Sequence, residues 1–142
     1  MSHFVNIVTQ MKDGTALVRA LEKLGFKGKV EVYEVAQNLY GYQGDKRSQK
    51  AHIILRRKHV GPSSNDIGFE KQADGSYAAH ISEFDGGTGQ YADSRARSGA
   101  KWQGQLKAYY GLEKSKMEFD KKHLKYVEDV DEQNRPRLRV KF

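Results

Sequence analysis

Residues 3–25 read HFVNIVTQMKDGTALVRALEKLG, and this stretch decides how the fold begins. Residues 3–10 are rich in β-branched side chains and aromatic at their start, which predicts a strand. Asp13 stands at the N-cap of a helix predicted over residues 13–24, because its carboxylate can accept the first free N–H groups. Apolar residues then recur at the spacing of one helical face: Ala16, Leu17, Ala20, Leu21 and Leu24. Gly25 follows at the position where a helix usually ends in a left-handed turn.

The rest of the chain carries further strand patterns and one long helix. Alternating or β-branched runs predict strands over residues 30–35 (extended past a bend by 38–42), 51–58, 67–71 and 76–82. Asp74 and Gly75 mark a tight hairpin turn before the last of these. A helix is predicted over residues 102–122, although Gly104 and Gly111 each cost about 1 kcal/mol against Ala. The chain ends in a hairpin that pairs residues 126–130 with 137–142.

This order of elements predicts an α+β fold in one domain, residues 1–142. We expect a two-layer sandwich: a mostly antiparallel sheet with two helices on one face, ferredoxin-like in character. Apolar and polar residues alternate along most of the strand predicted over 51–58, as a sheet with one polar face requires. Ala51, Ile53 and Leu55 fall on one face, and the other face holds His52, Ile54, Arg56 and Lys58.

Composition narrows the class of protein further. The 142 residues carry a formal net charge of +7, and eight Tyr, six Phe and one Trp argue against a wholly disordered chain. Because the chain has no Cys, disulfides, thiolate nucleophiles and Cys-ligated zinc are excluded. No apolar run approaches the 18 or so residues of a membrane span, and the N-terminus does not read as a secretory signal. We therefore expect a cytoplasmic or plastid-stromal protein that does not enter a membrane.

Several short stretches resemble one known family. They are residues 1–10, LVRALEKLG at 17–25, DIGF at 66–69, DGSY at 74–77, the pair Tyr109-Tyr110 and the final hairpin. Together they resemble the hypothetical chloroplast open reading frame 35 family of cyanobacteria and plastids, over nearly the whole chain. The resemblance implies a cyanobacterial, plastid or cyanobacterial-virus setting, and it implies no catalytic residue and no substrate. The chain departs from the family over residues 85–100, where the family would have a shorter, more aromatic segment.

Residues 83–99 are rich in Gly, Asp, Ser and Thr, which predicts a long polar loop that is mobile by composition. Its glycines invite a phosphate-binding interpretation, which requires a Lys directly after the last Gly of the motif. Here Gly89 is followed by Gln90 and Tyr91, and the next Lys is Lys101. A flexible connection is therefore the favoured interpretation, and we expect no cofactor.

Two histidines raise the hypothesis of a metal site. If the strands over 51–58 and 76–82 pair, His52 and His80 become neighbours, and Glu83 or Asp85 could add a carboxylate ligand. The sequence has no His-x-His and no His-Glu-x-x-His motif. Ordinary half-exposed strand histidines are the favoured alternative, and we expect no metal.

The strongest physical signal is positive charge. Residues 46–58 hold six cations and no acid: Lys46, Arg47, Lys50, Arg56, Arg57 and Lys58. The last strand places Arg137, Arg139 and Lys141 on one face, and Tyr40 and Tyr42 add rings on which bases could stack. A basic sheet face with aromatics is how several small α+β modules hold single-stranded nucleic acid. The alternative is that these cations protect exposed strands from edge pairing or meet an acidic protein.

The sequence contains no recognisable catalytic motif, so we expect a non-catalytic accessory or interaction protein that acts through its surface. A protein partner of unknown identity is the leading hypothesis. Binding of single-stranded RNA or DNA through the basic sheet face is the alternative. An enzyme is the third hypothesis, and it stays open because catalytic groups converge only in three dimensions.

Overall fold

The computed structural model describes residues 4–61, 64–82 and 100–141, which form an α+β fold around a five-stranded antiparallel sheet. The strands are β1 (Phe4–Val8), β2 (Val30–Tyr40), β3 (Lys46–Leu55), β4 (Ile67–Lys71), β5 (Tyr77–Ser82), β6 (Tyr126–Val130) and β7 (Pro136–Val140). The helices are α1 (Gly14–Leu21), α2 (Arg57–Val60) and α3 (Ala100–Lys121). The five-stranded sheet has the order β1-β5-β4-β3-β2, and β6 and β7 pair separately. The predicted α+β class and antiparallel sheet are confirmed.

The first helix begins and ends for the reasons that the sequence suggests. The Asp13 side chain accepts the N–H of Ala16 at 3.0 Å, as an N-cap does. After Leu21 the helix widens into one π-type turn, Glu22–Phe26. Gly25 takes φ +105° there, a conformation that only glycine adopts without strain. The turn carries the Phe26 ring into the core, where it meets Trp102 edge to face.

One apolar core joins α1 and α3 to the sheet. Leu17 and Leu21 of α1 are fully buried, as predicted, whereas Leu24 is only partly buried against the same core. Leu106 comes from α3, and the sheet contributes alternate residues such as Phe69. Because alternate residues share a face of a strand, the sheet residues of this core, such as Phe69, lie on one face of the sheet.

The hairpin formed by β2 and β3 bends and packs on the other face. Its register shifts between Val32 and Gln37. Beyond the shift, Leu39, Ala51 and Ile54 form a second buried cluster. That cluster lies over Gly68, where an added Cβ would stand 2.6 Å from the Ala51 Cβ. Ile54 therefore lies opposite Ile53 and Leu55, as predicted, whereas the prediction is wrong for Ala51, which joins Ile54 in the second cluster.

The third strand is displaced from its predicted position. It covers Lys46–Leu55 instead of 51–58, and Arg57–Val60 forms a single helical turn. Asp66 explains the change, because its carboxylate accepts the N–H of Arg57 at 2.7 Å and the guanidinium of Arg56 at 3.0 Å. These bonds turn the chain away from the sheet.

The C-terminal hairpin of β6 and β7 packs against α3. The Phe119 and Tyr126 ring centroids are 5.8 Å apart, and Lys116 of α3 bonds Glu128 of β6. The predicted bounds of β6 are confirmed, whereas β7 covers Pro136–Val140 instead of residues 137–142. None of the described helices combines the length and apolar character needed to cross a membrane. The loop predicted over residues 83–99 lies outside the described residues.

Candidate functional site

An apolar groove of about 470 Å³ lies between β1 and α3. One wall is the chain from Ile7 to Met11, and the other is the side of α3 from Gln103 to Gly111. Core residues form the floor: Phe69, Ala79, Ile81 and Leu106. The groove therefore gives access from the surface to part of the core that the helices leave uncovered.

Two glycines of α3 keep the groove open. Gly104 and Gly111 both line it, and they lie seven residues apart, so they share one side of the helix. A Cβ added at either position would meet no atom within 4 Å outside the helix's own backbone. Every other residue except Pro is a better helix former, by up to about 1 kcal/mol for Ala. The helix thus carries two unfavourable residues where a side chain would narrow the groove.

The opposite wall is a sheet edge that no described strand covers. Among the described residues, β1 pairs with β5 and with no other strand. Its sequence, FVNIV, has none of the charges or prolines that usually block pairing at an edge, and Val8 is 83% exposed. The other edge strand, β2, carries Glu31 and Glu34 and an irregular register.

Polar contacts fix one end of the groove. The phenol oxygen of Tyr110 accepts the N–H groups of Lys12 and Asp13, each at 3.0 Å. Lys114 pairs with Asp13 at 3.0 Å. Burial by itself would raise the pKa of Asp13, but the N–H of Ala16 and the Lys114 ammonium hold it below its usual 3.8. Among the described residues that line the groove, Lys107 has the only charged side chain.

Arg56 does not lie on an open basic face, and this part of the sequence prediction is wrong. Its guanidinium bonds Asp66 and Glu31, each at 3.0 Å, and the Asn38 carbonyl at 3.2 Å. Burial would lower the pKa of Arg56, but hydrogen bonds with Glu31, Tyr33 and Asp66 raise it. The Asp66 side chain is 1% exposed, so Arg56 serves as the partner of a buried acid.

The other basic residues of the β2–β3 hairpin and α2 take several roles. Lys46, Lys50 and Lys58 are exposed, which keeps them available for contacts. Arg47 pairs with Asp45 and lies 5.8 Å from the centroid of the Phe4 ring. Arg57 bonds the carbonyl oxygens of Tyr42 and Ser64. Arg47 therefore connects the hairpin turn to β1, and Arg57 connects α2 to Tyr42, which follows β2.

The two tyrosines predicted to stack on bases sit close to these structural bonds. The main-chain N–H of Tyr40 bonds Asp66, and that of Tyr42 bonds Asn65. The Tyr40 ring is 39% exposed, but the Arg56 guanidinium lies 5.8 Å from its centroid. Tyr42 is half-buried.

The cations of the last strand lie in the separate hairpin. Arg137 and Arg139 are exposed on one face of β7, as predicted, but both pair with Asp129 of β6 at 2.7 Å. The hydrogen bond from Arg137 is the main cause that lowers the pKa of Asp129 below 3.8. Lys141 is exposed just beyond β7. Arg137 and Arg139 therefore belong to a different sheet from Lys46 and Lys50.

The two histidines are bound separately within the sheet. The Nδ1 atom of His52 accepts the N–H of Lys71 at 3.1 Å. His80 is buried, and its Nε2 atom lies 2.9 Å from Glu70. Within residues 4–61, 64–82 and 100–141, no three potential metal ligands come together. Glu83, Asp85 and the glycines of the phosphate-loop hypothesis lie outside the described residues.

Comparisons with family models, with curated proteins and with solved structures found no match to this chain. The candidate site therefore stands on its own geometry. Sequence reasoning missed the groove, although two signals pointed toward it. One was the uncharged first strand, and the other was a pair of glycines two turns apart within an otherwise helical segment.

Proposed function

We propose that this protein is a non-catalytic interaction module that binds a segment of a partner protein in the groove between β1 and α3. The single observation that carries the proposal is an open apolar groove whose floor belongs to the hydrophobic core. Grooves of this kind are where peptide-binding domains hold short segments of their partners. The two glycines of α3 support the same function, because they widen the groove at a cost in helix stability.

Nucleic-acid binding is less well supported by the described geometry. The basic residues predicted for that role divide between two sheets, and Arg56, Arg137 and Arg139 already pair with acids. The resemblance to the chloroplast open reading frame 35 family stays a prediction. We also propose the two-layer arrangement, because α1 and α3 share one core cluster with the sheet. The ferredoxin-like character stays a prediction of the sequence.

The test is selection of peptides on the intact protein. A phage-displayed library of random twelve-residue peptides is panned on the immobilised chain, and enriched peptides are titrated by fluorescence polarisation. The blocked variant is Gly104→Leu with Gly111→Leu. Both changes favour the helix, the added Cβ meets no atom within 4 Å, and the rest of each side chain extends into the open groove, so the fold should persist. We expect the blocked variant to bind at least tenfold more weakly.

The matched control adds the same two side chains elsewhere on α3. Gln105→Leu with Ala108→Leu places them at exposed positions that do not line the groove. This control should bind the selected peptides as the unaltered protein does. Failure to enrich any peptide, or equal binding by the blocked variant, would remove the groove as the binding site.

A further inference from the structure

The way in which β1 borders the groove defines the conformation of the bound segment. Residues 9–11 continue beside β5, because the N–H of Tyr77 donates to the Met11 carbonyl at 2.8 Å and Thr9 bonds the Tyr77 carbonyl. All five consecutive residues from Ile7 to Met11 line the groove although their side chains alternate, so the main chain itself forms this wall. Alternate residues of a strand direct their N–H and C=O groups to opposite sides. The wall before Met11 therefore offers main-chain donors and acceptors, which a purely apolar ligand would leave unpaired, whereas both main-chain groups of Met11 are already bonded.

The two walls also match in length. Residues 7–11 of the strand side span about 13 Å at about 3.3 Å per residue. Residues 103–111 of α3 span about 12 Å at about 1.5 Å per residue. The groove is thus an elongated trough along the sheet edge, long enough for about four residues of an extended peptide. A helix of about 10 Å diameter would make poorer use of the same edge, because its main-chain groups bond within itself.

Charge adds a further requirement on the partner. Lys107 is exposed, and among the described lining residues no acid accompanies it. The whole chain carries a net charge of +7. An acidic residue in the partner would therefore form an ion pair with Lys107, the one charged residue among the described residues that line the groove.

We infer that the partner segment binds as an added β-strand on the edge of β1 that no described strand covers, with alternate apolar side chains in the groove and an acidic residue at Lys107. This inference rests on the proposed function and names the class of ligand: an extended apolar peptide that carries a carboxylate. Main-chain hydrogen bonds to β1 supply affinity, and the groove between β1 and α3 selects the alternate side chains that fit into it.

The experiment uses the peptides enriched from the random library, with each amide of a bound peptide N-methylated in turn. Methylation removes a donor, so a strand predicts an alternating result. Amides that face β1 should lose at least tenfold in affinity when methylated, and the amides between them should lose less than twofold. A bound helix would lose affinity on methylation throughout its interior and would show apolar residues three or four apart.

A charge exchange tests the second half of the inference. Lys107→Glu should weaken binding of an acidic peptide at least tenfold, and replacing the peptide's acid with Lys should restore binding. Lys121→Glu is the matched control, because Lys121 is exposed on α3 and does not line the groove. Suppose that the blocked variant, Gly104→Leu with Gly111→Leu, abolishes binding while the methylation series shows no alternation. That result would overturn strand addition and leave the proposed function intact. If the charge exchange leaves the affinity unchanged, the bound segment does not need an acidic residue at Lys107, and that half of the inference is overturned.

Discussion

At the scale of single residues, the contacts of a charged side chain determine its role more than the charges beside it in sequence. Arg56 lies in the most basic stretch of the chain, yet its guanidinium is engaged by Asp66, Glu31 and the Asn38 carbonyl. Lys50 comes from the same stretch and is exposed on β3. Two cations that look equivalent in the sequence therefore differ in what they contribute to stability.

Replacing Arg56 tests this difference. Arg56→Met leaves Asp66 buried without its charged partner, and breaking such a pair should lower the free energy of unfolding by about 3 kcal/mol. Lys50→Met is the matched control and should change it by no more than about 0.5 kcal/mol. Urea unfolding followed by circular dichroism measures both. Equal stability of the two variants would contradict the structural role of Arg56.

Glycines give a second residue-scale prediction, because two of them should respond in opposite directions. A Cβ at Gly68 would lie 2.6 Å from the Ala51 Cβ and 2.8 Å from two Leu39 carbons, so Gly68→Ala should destabilise by about 1–3 kcal/mol. A Cβ at Gly104 meets nothing, so Gly104→Ala should stabilise by up to about 1 kcal/mol.

Thermal unfolding of the two alanine variants gives the sign of each change. Adding Leu39→Ala to Gly68→Ala removes two of the three atoms that crowd the new methyl group, the Leu39 carbons, and leaves the Ala51 Cβ in place. The double variant should therefore lose less stability than the sum of its two single changes. If the stability losses of the two single variants simply add in the double variant, the Leu39 side chain of the bent hairpin does not crowd position 68.

At the scale of elements, a cluster of charges attaches the C-terminal hairpin to the helices. Lys116 of α3 bonds Glu113 at 2.9 Å and Glu128 of β6 at 2.6 Å, and Lys23 lies 3.7 Å from Glu128. The Glu113 side chain is 6% exposed, so it depends on Lys116 for its partner. Glu128 therefore connects the hairpin to both α3 and the turn after α1.

The pH dependence of stability tests this attachment. The hydrogen bond from Lys116 is the main cause that lowers the pKa of Glu128 below its usual 4.5 in the folded protein. As the pH falls toward 4.5, Glu128 binds a proton in the unfolded chain before it does so in the folded protein. The stabilisation present at higher pH therefore decreases until the pH reaches the lowered pKa of the folded state. Glu128→Gln should therefore flatten the decline of stability between about pH 5 and pH 3.

The control for this titration is Glu132→Gln, since Glu132 is exposed in the hairpin turn. Chemical unfolding at a series of pH values measures both variants. The control should keep the slope of the unaltered protein. An unchanged slope in Glu128→Gln would show that the ion cluster does not attach the hairpin.

At the scale of the whole molecule, the arrangement of the cations determines how the protein responds to nucleic acid. Lys46 and Lys50 lie on the five-stranded sheet, whereas Arg137 and Arg139 lie on the separate hairpin and face Asp129. A continuous basic face of five phosphate contacts on a single strand would give a slope near −3.5 for log affinity against log salt, at about −0.7 per contact. In the described structure these cations divide between two sheets, and Arg56, Arg137 and Arg139 pair with acids.

We therefore expect no binding of a purified single-stranded oligonucleotide by micromolar protein at 150 mM salt. Fluorescence polarisation over a salt series measures this, with a peptide from the groove selection as the positive control. Binding at that salt concentration, with a slope near −3.5 and a loss on Arg139→Glu, would contradict this prediction and restore the basic-face hypothesis.

The sequence by itself determined the local elements. The Asp13 cap, the apolar stripe with Leu17 and Leu21, and the Gly25 turn all rest on interactions between residues close in the chain, and the structure confirms them. Strands β4 and β6 were predicted with their observed bounds for the same reason. Positive charge was correctly counted, because composition needs no geometry.

Only the tertiary structure decided the bend of the β2–β3 hairpin, the displacement of β3 and the groove. Each depends on residues far apart in sequence: Leu39 with Gly68, Arg56 with Asp66 and Glu31, and Ile7 with Gly104. Periodicity records which residues share a face of one element, but it does not specify which elements meet or how far apart they lie. The candidate site is a space between two such elements, so its position and size follow from their packing.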